Sequence, residues 1–290
     1  MRTMHKKVLI SFSVLLFTIS SVIAQEATRP QVWGIAKMTF LVSDMDMARD
    51  YYGRFLGFDE TFSYSSPLGT VVSFKVNDRQ FLEFIVDKDA KQKKRLVSVS
   101  LETESVSDMK LYLESMGSKP SQIALDGAGN EVLVVQDSWG NDIEFIDLKE
   151  DGLHRKSKGK FLSDNRISKR IHHAGLPAGK VDEKDPFWVG VMKCWEIVRY
   201  PLDYNEPGVI HYLGLGDCTE SIEHYFPSDE NFSHPCFFSE DMQETIYTLK
   251  ERRGKYQIGR PSIGRTKRWL LNLTTPDGTR VEFTEAYGVK

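Results

Sequence analysis

The sequence predicts an α+β chain in which one βαβββ unit occurs four times. Three observations carry this. Runs of alternating apolar residues give way to amphipathic helical spacing, Gly and Asn turn signals separate the strand-like runs that follow, and the whole order then recurs along the chain.

The first copy opens with "IAKMTFLVSDMDMARDYYGRFLGF", a strand, an Asp-rich helix start and an amphipathic helix closed by Gly57. The strand-like runs "ETFSYSS", "GTVVSFKV" and "QFLEFIV" follow, parted by turns at Pro67-Leu68-Gly69 and Asn77-Asp78. In the second copy "LVSVSLETESVSDMKLYLESMG" is the strand and helix, and "QIALD", "EVLVVQD" and "DIEFIDL" are the strands. The third begins at "RIHHAGL", has an atypical helix near "DPFWVGVMKCW", and ends with "HYLGLG" and "SIEHYF". The fourth runs from "SHPCFFSEDMQETIYTLKERRG" to "RWLLNLTTPDGTRVEFTEAY". The polar stretch "KEDGLHRKSKGKFLSDNRISK" separates the second copy from the third. The copies therefore group into an N-terminal domain over 25–149, a linker over 150–169 and a C-terminal domain over 170–290.

Of 290 residues, 40% are hydrophobic and 27% charged, which suits a globular chain. A net charge of −3 offers no electrostatic case for nucleic acid or an anionic membrane surface, so the expected partner is a small molecule, and the chain itself is expected as a monomer or homodimer. Arg2, Lys6 and Lys7 precede the apolar run "VLISFSVLLFTISSVIA", which ends in small residues. Residues 1–24 read as a secretory signal peptide that leaves Gln25 as the mature N-terminus and places the protein in the periplasm or outside the cell. Cys194, Cys218 and Cys236 are odd in number and lack C-x-x-C spacing, so they are expected as buried, unbridged side chains.

Four βαβββ modules with the opening "VSDMDMARDYYGRFLGF" and the closing "TPDGTRVEFTEAY" resemble the vicinal oxygen chelate superfamily, which includes glyoxalase I, extradiol dioxygenases and bleomycin-resistance proteins. The resemblance spans essentially residues 32 to 287. It implies two domains, each a pair of modules whose mixed sheet curls around a cavity, with metal ligands on the first and last strand of each module. Carried onto this chain, it puts His173 and Glu223 at those places in the third copy, 50 residues apart, and His234 and Glu282 in the fourth, 48 apart. The matching pairs in the first two copies are Lys37 with Glu83 and Ser98 with Glu144, each 46 apart. Alternation agrees: Met38, Phe40 and Val42, then Val97, Val99 and Leu101, belong under the helices and leave Lys37 and Ser98 on the cavity side. The same register puts His172 with Ala174 and Leu176 under a helix and His173 toward the cavity. His224, next to Glu223, should face away from it, and His211 could reach the cavity.

Two imidazoles and two carboxylates suit zinc, manganese, iron, cobalt or nickel. Lys37 would put a cation where the N-terminal half would need its metal, so that half is expected to be metal-free. The resemblance implies a metal-dependent lyase or isomerase that chelates neighbouring oxygens of a hydroxy- or keto-carbonyl compound, carbohydrate-derived compounds among them, and stabilises an enediolate. Glu223 or Glu282 would be the catalytic base. One alternative is an extradiol Fe(II) dioxygenase using His173, His234 and Glu282. The other is a binding protein without chemistry.

Overall fold

The computed structural model describes residues 28–89, 94–179, 185–202, 209–228 and 232–288. The expected signal peptide lies outside them. No helix among the described residues is long and apolar enough to cross a membrane.

The strands are β1 (Val32–Val42), β2 (Asp59–Ser66), β3 (Gly69–Lys75), β4 (Phe81–Val86), β5 (Leu96–Thr103), β6 (Ala124–Leu125), β7 (Glu131–Gln136) and β8 (Asp142–Asp147). They continue with β9 (Ile171–Pro177), β10 (Trp195–Tyr200), β11 (Ile210–Gly214), β12 (Ser221–Tyr225), β13 (His234–Ser239), β14 (Ser262–Ile263), β15 (Arg268–Thr274) and β16 (Arg280–Gly288). They form two eight-stranded mixed sheets of identical plan, β2-β3-β4-β1-β5-β8-β7-β6 and β10-β11-β12-β9-β13-β16-β15-β14. The first strands of paired modules run antiparallel at the centre of each sheet. Each is flanked by the last strand of its own module in parallel. First-strand and last-strand residues therefore meet across the middle of the sheet.

Each first strand leads into a helix through the same kind of cap. Asp44, Ser105, Asp185 and Asp241 accept hydrogen bonds from the first-turn N–H groups, and Asp44, Ser105 and Asp241 do so from extended backbone. Such a cap contributes about 1 kcal/mol. Helices follow at Val106–Ser115 and Met242–Arg252, whereas the first copy passes from Met45–Ala48 into wider π-type winding over Arg49–Phe55. Among the described residues the third copy has one such wide turn, Pro186–Val191, and then β10, a strand that the sequence pattern does not predict. Lys193 breaks the winding with φ 57° and redirects the chain.

The helix-side faces form one continuous core. Met38, Phe40, Val99, Leu101, Ala174, Leu176 and Phe237 are all within 1% of full burial. The halves share this core: Phe58 packs on Phe237 with ring centroids 5.1 Å apart. Gln80 also clips onto Ile171, donating to its carbonyl and accepting from its N–H. The polar stretch after β8 contributes the short helix Leu153–Lys156, whose His154 is buried in the first half. Lys75, fully buried, donates from Nζ to the carbonyls of Ser157 and Lys160 and holds that stretch down.

Candidate metal centre

In the second sheet His173 comes from β9, Glu223 from β12, His234 from β13 and Glu282 from β16. One ligand atom from each lies within 4.8 Å of all the others, and all four side chains are buried. His173 Nε2 is 3.2 Å from Glu223 Oε2 and 3.6 Å from Glu282 Oε1, and His234 Nε2 is 3.2 Å from Glu223 Oε2. None of these approaches has the alignment of a hydrogen bond. His173 Nε2, Glu223 Oε2, His234 Nε2 and Glu282 Oε1 are all buried without a partner. Burying one polar atom unsatisfied costs ~1–3 kcal/mol, so four aimed at one point make a cradle that a cation would fit.

The other atoms of the same side chains are held. His234 Nδ1 donates to the Phe232 carbonyl at 2.6 Å, which leaves Nε2 as the lone pair facing the centre. Its ring lies directly over Gly175: a Cβ there would stand 2.0 Å from Cε1, so this strand position must be bare. Tyr212 on β11 donates from its hydroxyl to Glu223 Oε1 at 2.7 Å. Arg280 donates to Glu282 Oε2 and is itself steadied by Asn272 Oδ1 and by Phe232, whose ring lies beneath its guanidinium. Burial works against the Glu223 carboxylate, yet the His173 and His234 imidazoles outweigh it and hold this carboxyl well below the usual range. Burial and then Glu223 push the Tyr212 phenol up, so it stays a donor.

His172 is not under the helix. β9 pairs Cys236 with His173 but Phe237 with Ile171, so His172 is an extra residue in a β-bulge. A bulge places two residues against one and breaks the alternation on which the expectation rested. His172 therefore turns to the same side as its neighbour, with its Nδ1 2.9 Å from His173 Nδ1, while Arg268 Nη1 donates to its Nε2 at 3.1 Å. Burial, with His173 and Arg268 beside it, pushes His172 down to about 2, so it is a neutral imidazole. β1 is bulged at the equivalent place, where Ala36 is the unpaired residue between Ile35 and Lys37.

His211 also departs from expectation. It pairs in register with His224 and stands against Glu196 and the Phe226 ring, leaving Tyr212 on the cavity side. His224 does face away from Glu223, buried among Trp139, Trp188 and Asp185. Cys194 and Cys236 are buried, but Cys218 is only partly so and lines a cavity; none is bridged.

That cavity, about 540 Å³, opens onto the centre and is lined by His172, His173, Tyr212 and Arg268, with Trp195 and Ile197 near its mouth. The sheet curls until its two edges nearly meet: Arg265, in the turn between β14 and β15, lies 4.3 Å over the ring of Tyr200 on β10.

No family model and no curated protein matches the sequence. Solved structures do match. The 2,3-dioxygenase LapB from Pseudomonas sp. KL28 superposes with a TM-score of 0.72 at 14% identity, over 91% of this chain and 96% of its own. Homoprotocatechuate 2,3-dioxygenase from Brevibacterium fuscum, in complex with 3,4-dihydroxyphenylacetate, gives 0.65 at 15%, over 89% and 82%. A Mn(II)-bound glyoxalase from Novosphingobium aromaticivorans gives 0.68 at 15%, over 88% and 83%. The chain shares the fold of these structures, with its two eight-stranded mixed sheets each built from a pair of modules. At such identities the likeness concerns the fold, and the chemistry has to be argued from the residues.

Within this paired-module fold the two sheets treat the same positions differently. In the first, the Lys37 ammonium stands 3.1 Å from Glu83 Oε2 and 3.3 Å from Glu144 Oε1, with Asp126 at 3.8 Å. Tyr64 donates to Glu83 Oε2 at 2.6 Å, and His154, which accepts from Asn130 at Nδ1, donates from Nε2 to Glu83 Oε1 at 3.0 Å. Burial disfavours the Lys37 charge, but Glu144 and Glu83 outweigh it and hold the ammonium well above the ordinary lysine value. The rings of Phe62, Phe81 and Tyr64 close on His154. The position that leaves orphaned atoms in the second sheet is filled by a side-chain cation in the first.

Proposed function

We propose that the chain is a metal-dependent enzyme whose second half binds one divalent ion through His173, Glu223, His234 and Glu282. The observation that supports this best is the set of four buried, partnerless atoms facing one another. The donor set, two imidazole nitrogens and two carboxylates, suits zinc, manganese, iron, cobalt or nickel. Such an ion supplies Lewis-acid polarisation of two neighbouring oxygens of a small hydroxy- or keto-carbonyl compound.

The protein's own groups do the rest. A base must take a proton from the carbon beside the carbonyl, and the two glutamates differ in fitness for that. Glu282 is clamped in place by the charged Arg280 guanidinium, which makes it the costlier of the two to move. Glu223 is held by a neutral phenol, so it swings free at smaller cost, with Tyr212 still guiding one oxygen. Glu223 is therefore the base and Glu282 the fixed carboxylate of a lyase or isomerase. Lys37 takes the metal's place in the first half, which leaves that half a scaffold.

Metal analysis after reconstitution with zinc, manganese or iron is expected to give about one ion per chain, lost in His173→Ala. No bound ion under any of these conditions would remove the reading. A second reading, an extradiol dioxygenase, draws on the likeness to dioxygenase structures and on His173, His234 and Glu282 as a two-histidine, one-carboxylate set. Anaerobic exchange of a substrate α-proton with solvent favours the first reading, and strict dependence on O₂ the second. Export is part of the proposal: protein from the extracytoplasmic fraction should begin at Gln25, and an intact Met1 there would argue against cleavage.

A further inference from the structure

The Arg268 guanidinium lines the 540 Å³ cavity and has no carboxylate partner among the described residues; its one hydrogen bond goes to His172 Nε2. Arg268 is the cationic side chain among the residues that line this cavity, whereas cations elsewhere are committed: Lys37 to Glu83 and Glu144, Arg280 to Glu282, Arg79 and Arg155 both to Glu102. An arginine left over at a cavity wall calls for an anion from outside, and its planar fork of N–H groups suits a carboxylate.

Its hydrogen-bond partner lines the same cavity: Arg268 Nη1 donates to His172 Nε2 at 3.1 Å, which fixes the guanidinium at the wall and leaves its other N–H groups for an incoming carboxylate. At the other end of the cavity Glu220, 8% exposed, accepts from Gln80 Nε2 and has no ammonium or guanidinium within ion-pair distance among the described residues. A second negative charge would be unwelcome there, whereas a hydroxyl would not.

We infer that Arg268 and His172 form a carboxylate-binding subsite beside the metal centre, so that the substrate is a small hydroxy or keto acid carrying one negative charge. The inference rests on the proposed metal reading, since the acid would be held beside that centre. The residues also balance. Glu220 and Arg268 line the cavity and Glu223, Glu282 and Arg280 belong to the adjoining centre, so three carboxylates meet two guanidinium groups, and a divalent ion would leave one positive charge for the incoming anion.

The test is calorimetric binding of matched pairs that differ only in a carboxylate, glycerol with glycerate and catechol with 3,4-dihydroxybenzoate, to metal-free and metal-loaded full-length mature protein. Metal content is measured first, so that failure of the metal reading shows there, independently of anion binding. The loaded protein should prefer the acid of each pair by about 10- to 100-fold, with a smaller preference in the metal-free protein. Arg268→Met should abolish the preference without changing metal content, and Arg268→Lys should restore part of it. Equal binding of acid and neutral partner, no binding of the acids, or an undiminished preference in Arg268→Met would each overturn the proposal.

Discussion

Gly175→Ala changes no ligand, yet it should cost the protein its metal. At Gly175 an added methyl would meet three atoms of the His234 ring, Cε1 at 2.0 Å, Nδ1 at 2.3 Å and Nε2 at 2.7 Å. Ordinary van der Waals contact begins near 3.4 Å, so the imidazole must retreat by more than 1 Å. Metal–nitrogen bonds tolerate only about 0.2 Å of error. The His234 Nδ1 bond to the Phe232 carbonyl, 2.6 Å long, ties the ring from behind, so retreat also breaks the contact that sets its tautomer. Moving a buried ring this way costs ~1–3 kcal/mol in packing, and losing one of four ligands should weaken metal affinity by roughly 100-fold or more. The assay is competition against a chromophoric chelator, with thermal melting in excess EDTA as the control for folding. Wild-type affinity in a folded Gly175→Ala protein would refute the strand register on which the centre is built.

Three further predictions follow from the same geometry. Lys37→Met leaves Glu83 and Glu144 buried without their cation and should destabilise the protein by about 3–5 kcal/mol in urea unfolding, much of it recovered by adding Glu83→Gln; a neutral result would mean that Lys37 is not buried between them. Burial raises the Glu83 carboxyl, but Lys37 and His154 outweigh it and bring it from 4.5 down to about 2. A depressed carboxyl contributes stability above its unfolded value and loses it as pH falls, so roughly 3 kcal/mol should disappear between pH 4.5 and 2, and Glu83→Gln should flatten that slope. Replacing His172 by Ala should leave the metal bound but about 10- to 100-fold weaker, because His172 Nδ1 orients His173, whereas His173→Ala should abolish binding; equal losses in both would place His172 among the ligands themselves.

Much of this was legible in the chain. The four repeats show in the order of apolar runs, and the family resemblance, carried onto the first and last strands of the last two copies, implies the four side chains that converge. Arg280 was within reach of the same reasoning, since it stands two residues before Glu282 on one strand and so shares its face. His172 was not, because a one-residue bulge shifts the alternation and leaves no mark in a single sequence. Tyr212 depended on the pairing of β11 with β12, and His154 on a short helix returning from what reads as a polar linker. β10 was hidden by a six-residue helix too short to show its own period.

The ammonium of Lys37 differs from any ion in one respect: it is bonded to the chain and cannot diffuse away. A chelator, or a habitat poor in transition metals, has nothing to extract from the first half. On the proposed metal reading the second half would instead draw stability from dissolved metal by mass action, gaining with every rise in concentration above its dissociation constant. The two sheets share a plan but obey different supply rules, so scarcity should loosen one end of the molecule while the other keeps its shape as a template for recovery.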